Sequence, residues 1–215
     1  MWKDNKWKNF LLDILFPKFC VNCQKEGKYL CEDCFALIDI LKFQPEPFLF
    51  CPASYDNLIV KKMINQLKYE PYIKGLAKPL ARLIIAHLLS LEKFPDFRNF
   101  ILAPVPLEKR KLKQRGFNQA EEIAKELSFF LKIPLLSDAL IKTKKTLSQV
   151  GLEKEKREQN IKGAFSCPKP ASVSGRKILL TDDVYTTGAT FRECRKCLVE
   201  NGAAAVFSMV AARQQ

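Results

Sequence analysis

The stretch Ile178-Leu-Leu-Thr-Asp182-Asp183-Val184-Tyr185-Thr186-Thr187-Gly188-Ala189-Thr190 constrains this chain more than any other. A short apolar run leads into two adjacent carboxylates and a Tyr-Thr-Thr-Gly turn, and helical spacing continues at Phe191, Cys194 and Leu198. That pattern predicts strand, loop and helix, and open α/β sheets bind ligands at that edge. Backbone N–H groups and the hydroxyls of Thr186, Thr187 and Thr190 at a helix N-terminus make a concavity for a phosphate, with Gly188 allowing close backbone approach. The carboxylates beside it can accept hydrogen bonds from vicinal hydroxyls. A sugar phosphate meets both demands. Adjacent aspartates also serve as metal ligands in phosphoryl-transfer sites, but those do not require the Thr-Thr-Gly-x-Thr turn.

The second strong signal is Cys20-x2-Cys23-x7-Cys31-x2-Cys34. Paired Cys-x-x-Cys knuckles turn their thiolates toward one ion, and four thiolates complete a tetrahedral, closed zinc shell, the kind that holds structure. Unrelated reduced thiols or redox pairs are the alternatives. Half of the eight cysteines fall in these pairs and no convincing signal peptide precedes them, so a reduced, cytoplasmic metal site is expected and disulfides are not. Cys51 is read as core. Cys194 and Cys197 lie three apart on the final helix and are read as packing, since no further close ligand pair completes a site.

Length suits one α/β domain with a small appendage: residues 1–44 form an N-terminal helix and the four-cysteine module, and residues 45–215 form the larger domain. Residues 1–19 place Trp7, Phe10, Leu11, Ile14 and Leu15 on one helical face, read as packing on its own domain, with a membrane surface as the alternative. Strands are predicted at 48–55, 100–106, 133–136 and 204–211, and helices over 60–67, 72–91 with Pro79 marking its first turn or a kink, and from 120 with Asn118 as cap. Residues 169–175 read as a turn. His87, the only histidine, sits among leucines and isoleucines without a motif and is assigned no role. No apolar run approaches the roughly 18 residues of a membrane span, so a soluble protein is expected. The formal charge of +13, from 36 Lys and Arg against 23 Asp and Glu, favours phosphate-rich partners unless it only clothes solvated faces. Five of those charges, Lys109, Arg110, Lys111, Lys113 and Arg115, fall within seven residues.

Asp182 to Thr190 resembles the phosphoribosyl-pyrophosphate (PRPP) loop of the type I phosphoribosyltransferases. Pro104-Val-Pro-Leu107, the basic run, Arg115-Gly-Phe-Asn-Gln119 and the amino-terminal cysteines resemble one branch, the ComF competence family. The resemblance implies a parallel sheet flanked by helices with a small four-cysteine zinc knuckle, and a basic loop that closes over PRPP. It also implies a pyrophosphate-side contact from Lys68 and Tyr69, with Lys62 carried over beside them; a solvated helix end is the alternative for these lysines. Gln149, Arg157 and Asn160 match a further family stretch and would line the cleft, or sit on an exposed charged helix.

The functional expectations also come from the resemblance. Asp182 and Asp183 would hold the ribose, and Val184, Tyr185, Thr186, Thr187, Gly188, Ala189 and Thr190 the 5-phosphate, with Mg2+ offsetting the leaving group's charge. Lys68, Arg110 and Arg115 would face pyrophosphate, so the expected catalytic set is Asp182, Asp183, Arg110, Arg115 and Lys68. The acceptor is unidentified. The implied setting is natural transformation, in the cytoplasm at the inner face of the membrane, with single-stranded DNA and other DNA-uptake proteins as partners and Lys109, Arg110, Lys111, Lys113 and Arg115 as the nucleic-acid face. A non-catalytic single-stranded nucleic-acid-binding protein on the same scaffold, or a salvage phosphoribosyltransferase for an unknown base, are the alternatives.

Overall fold

The structure is a computed structural model that describes residues 16–144 and 161–214. Its centre is a four-stranded parallel sheet in the order β1 (Leu49–Phe50), β6 (Ala205–Arg213), β5 (Lys177–Tyr185) and β2 (Phe100–Pro104). Residues 178–181 of β5 are all buried, because helices cover the sheet on both faces. Alternation along the strands sorts the core. Leu179 and Met209 join one cluster with Met63, Leu80, Ile123 and Leu127. Ile178, Leu180, Val206 and Val210 join the other with Phe191, Cys194 and Leu198.

The first face carries α2 (Leu58–Lys68), α3 (Ala77–Ser90) and α5 (Gln119–Leu131), and the second carries α7 (Ala189–Glu200). Asn57 caps α2 by accepting from the N–H groups of Ile59 and Val60. Asn118 caps α5 by accepting from Ala120, and it is fixed by donating to the Val105 carbonyl at 3.0 Å. A two-stranded antiparallel hairpin, β3 (Ile141–Lys142) and β4 (Phe165–Ser166), lies outside the main sheet. Among the described residues, no helix is long and apolar enough to cross a membrane.

The cysteine module ends in a short helix, α1 (Glu32–Ala36), whose N-cap is Cys31. Val21, Leu30 and Ile38 of this module belong to the same buried cluster as Ile64 and Leu80, so the two parts share one core. Arg82 of α3 grips the Glu32 carboxylate with two hydrogen bonds, of 2.9 and 2.5 Å, while its guanidinium lies 4.1 Å from the Phe35 ring centre. Tyr29 lies so close to Gly75 that a β-carbon there would collide with the ring.

Several expectations change. The basic run is not a loop: Lys109–Arg115 forms a helix, α4, closed by Gly116 at φ 81°, whose N–H donates to the Leu112 carbonyl. Lys, Arg, Leu and Gln are good helix formers, and their spacing lets α4 turn different charges in different directions. The predicted strand 48–55 pairs regularly only at Leu49–Phe50, and residues 133–136 contribute only a bridge from Leu135 to Leu102. Within residues 72–91, a 3-10 turn at Lys74–Leu76 precedes α3, which begins at Ala77. Residues 169–175 contain one helical turn, α6 (Pro170–Val173), opened by the proline.

His87 is buried with Nδ1 2.6 Å from the Leu41 carbonyl, and burial lowers its pKa. Cys51 and Cys194 are buried, and Cys197 half-buried. The amphipathic pattern through residue 15, and Gln149, Arg157 and Asn160, lie outside the described residues.

Candidate functional site

β5 runs further than its apolar residues alone suggest, because Asp182 and Val184 pair with Val210 and Ala212 of β6. Both aspartates therefore sit within the strand's carboxyl-terminal part, on a backbone fixed from one side. The chain then turns through Thr186 and Thr187 into α7, with Gly188 as N-cap at φ 74°. A β-carbon at Gly188 would collide with the Tyr185 hydroxyl, so the glycine is required for both its backbone conformation and its space. The Tyr185 ring in turn packs on Phe191, with centroids 5.3 Å apart.

A cleft of about 570 Å³ opens here. Asp182, Asp183, Thr186, Gly188 and Thr190 form its floor, and Lys68, Tyr69 and Tyr72 one wall. Lys111, Gln114 and Arg115 of α4, with Gln119, contribute another, and Lys142 and Phe165 of the hairpin also line it. The other basic residues of α4, Lys109, Arg110 and Lys113, are exposed and are not among the lining residues. Lys62 bonds Asn22 of the cysteine module at 3.1 Å and is likewise not among them.

Lys68 Nζ lies 2.8 Å from Asp183 Oδ2, on a carboxylate side chain only 2% exposed. The lysine extends from the last turn of α2, so the pair links a helix end to the strand end. Burial would raise the Asp183 pKa, but the Lys68 ammonium, hydrogen bonds from Asp182 and Lys68, and the Arg115 charge together hold it below the ordinary value. Asp182 behaves oppositely: burial and the neighbouring Asp183 push it well up. The two carboxyls are thus arranged to titrate apart. Burial lowers Lys68, yet the two aspartates outweigh it and leave it raised. Arg115 Nη1 bonds the Gln119 side chain, while its Nε is buried and unpartnered.

An ammonium has three donors, so Lys68 can hold Asp183 and still reach an anion. The carboxylates, the threonine-rich turn and the Lys68, Lys111 and Arg115 charges converge on one space. That arrangement suits a ligand with vicinal hydroxyls and more than one phosphate. Tyr69 is expected at the site from the sequence. Tyr72, Gln114, Lys142 and Phe165 are not: the two-residue strands that carry Lys142 and Phe165 are too short to show a period in the sequence, and Tyr72 and Gln114 belong to no motif.

The sulfur atoms of Cys20, Cys23, Cys31 and Cys34 all lie within 4.8 Å of one another. A metal bound at about 2.3 Å in a tetrahedron requires sulfur separations of roughly 3.8 Å, and the set fits. It could hold a structural metal such as zinc. Asn22 Nδ2 donates to Cys34 Sγ, and the Cys34 N–H to Cys31 Sγ, each at 3.4 Å, supporting the thiolates from outside.

No protein-family model matches the chain. Competence protein F of Haemophilus influenzae is 30% identical over 201 residues, a match covering 87% of this chain and 80% of that protein. DNA utilization protein YhgH of Escherichia coli is 36% identical over 149 residues, covering 67% of this chain and 63% of that protein, so the chain spans somewhat less than two thirds of that relative. Among solved structures, glutamine PRPP amidotransferase from Bacillus subtilis overlaps with a TM-score of 0.38 at 19% identity, covering 64% of this chain and 25% of that one, a partial likeness of shape.

Proposed function

The chain belongs to the ComF family of competence proteins, and from that premise we propose that it binds PRPP with Mg2+ in the cleft and serves DNA uptake in natural transformation. The observation that carries this reading is the Lys68–Asp183 pair, 2.8 Å long, beside Asp182 and the Thr186–Thr190 turn in a single cleft. The turn takes the 5-phosphate, where backbone N–H groups at the start of α7 point outward. Asp182 and Asp183 accept from the ribose hydroxyls. Lys68 and Arg115 face the pyrophosphate, with the unpartnered Arg115 Nε as a donor already desolvated for it. Bound Mg2+ would supply charge neutralisation of the leaving pyrophosphate.

In a transfer reaction a nitrogen lone pair of an acceptor forms the new bond to the anomeric carbon. The carbon–oxygen bond to pyrophosphate breaks, its electron pair leaves with pyrophosphate, and the acceptor nitrogen releases a proton. Positive character builds on the ribose in between, which carboxylates near its hydroxyls stabilise. The four cysteines hold structural zinc, away from this chemistry.

Calorimetric titration of PRPP with Mg2+ tests the reading. Wild-type protein is expected to bind, and Asp183→Asn to lose roughly a hundredfold in affinity, the scale of one charge-assisted contact in a partly buried site. Equal affinity in the variant would remove Asp183 from the site. No binding by the wild type would overturn the reading itself.

The outward side of α4 favours a second activity beside the first. Lys109, Arg110 and Lys113 are exposed and are not among the cleft-lining residues, so they are available to track a phosphate backbone. Single-stranded DNA binding there predicts that the triple change to glutamine lowers the slope of log affinity against log salt by about 2, at roughly 0.7 per phosphate contact. A slope unchanged by the substitution would place the nucleic acid elsewhere.

A further inference from the structure

Lys142 and Phe165 are cross-strand partners in the β3–β4 hairpin, and both face the cleft. The Lys142 Nζ lies 5.8 Å from the centre of the Phe165 ring. Lys111 of α4 lines the same space. Burial first, and then the Lys111 charge, lower the pKa of Lys142. Among the described residues neither lysine forms a salt bridge, although the other cleft lysine, Lys68, is paired. The PRPP reading gives Lys142 and Phe165 no task.

We propose that Phe165, Lys142 and Lys111 form the subsite for the second reactant, and that it takes a planar heteroaromatic ring bearing a carboxylate. The inference rests on the cleft being the PRPP site. A ring can pack against the part of Phe165 that faces the cleft, in offset or edge-on contact. A neutral ring would desolvate the Lys142 ammonium further while Glu108 and Asp182, the acidic groups that act on it, remain outside salt-bridge distance, which is unfavourable. An anionic substituent satisfies both lysines, and it turns mutual repulsion between them into a shared attraction. The cleft's volume, about 570 Å³, is within the range that holds a sugar phosphate and a further small ring. Electrostatics therefore selects among rings of equal shape.

The test is a set of titrations on the full chain with matched probes: nicotinate against nicotinamide and orotate against uracil, each with and without PRPP and Mg2+. Wild-type protein is expected to bind the acid of at least one pair about tenfold more tightly than its neutral twin, as one added charge contact implies. In Lys142→Met the ratio should fall to within about twofold, and in Lys142→Arg it should persist. Near-equal binding of every acid and its twin by the wild type, or an unchanged ratio in Lys142→Met, overturns the proposal. So does a loss of PRPP affinity in Lys142→Met with the ratio intact, because the ammonium would then serve pyrophosphate. A wild type that fails to bind PRPP overturns the PRPP reading alone, since the acid-to-neutral ratio measured without PRPP still reports on Lys142.

Discussion

Stripping the proposed structural metal from Cys20, Cys23, Cys31 and Cys34 with a chelator, or replacing Cys31 by serine, is expected to lower Tm by about 10–20 °C. This corresponds to losing at least about 5 kcal/mol at roughly 2–4 °C per kcal/mol in a protein of this size. The effect should exceed that of a detachable surface knuckle because the module has no separate core. Val21, Leu30 and Ile38 share a buried cluster with Ile64 and Leu80 of the α/β domain. Releasing the four sulfurs frees the backbone that carries those side chains, and the Glu32–Arg82 clamp and Tyr29 over Gly75 then lose their fixed geometry. Cys31 has a second duty as N-cap of α1, so its serine variant keeps a capping oxygen while losing a metal ligand. Differential scanning calorimetry with and without added zinc separates the two roles. A Tm unchanged by complete metal removal would show that packing alone holds the module.

The features readable from the chain are those whose chemistry is local. Asp182 to Thr190 carries its strand, turn and helix start within one short segment, and Cys20 to Cys34 carries a complete ligand set. Asn118 announces its cap because the residues it serves come directly after it. Features that escape the sequence depend on partners distant along the chain. Leu49–Phe50 and Leu135 are short pairings set by where β6 and β2 lie. Charge makes the run from Lys109 to Arg115 read as a loop, although helix propensity, a Glu108 start and Gly116 at its end decide its conformation. Reading it as a helix divides residues that composition groups together: Lys111 and Arg115 line the cleft, and Arg110 does not. Lys62 accompanies Lys68 in the family pattern, but the turn of α2 directs it toward Asn22.

Replacing Lys68 by methionine is expected to destabilise the fold by about 3 kcal/mol at pH 7, because it leaves the buried Asp183 carboxylate without its counter-charge. The pH dependence distinguishes this from simple loss of packing. In the native protein Asp183 has a lowered pKa, so its stabilising contribution is present above the unfolded-state value of about 3.9 and is lost as pH falls through the folded-state value. Without Lys68, burial acts on Asp183 with only the Asp182 hydrogen bond and the Arg115 charge to oppose it, and its pKa moves upward. The variant then takes up a proton on folding, and its stability rises as pH falls from neutrality through the raised value. The stability gap between the two proteins should therefore be widest near pH 7 and narrow steadily toward pH 4. Urea unfolding at stepped pH measures it. A gap independent of pH would mean that the lysine stem's packing, rather than its ammonium, supports the strand end. Asp183→Asn in the Lys68→Met background supplies the complementary measurement. It removes the unpaired charge and should recover most of the loss at pH 7, since a neutral amide there has no buried charge left to compensate.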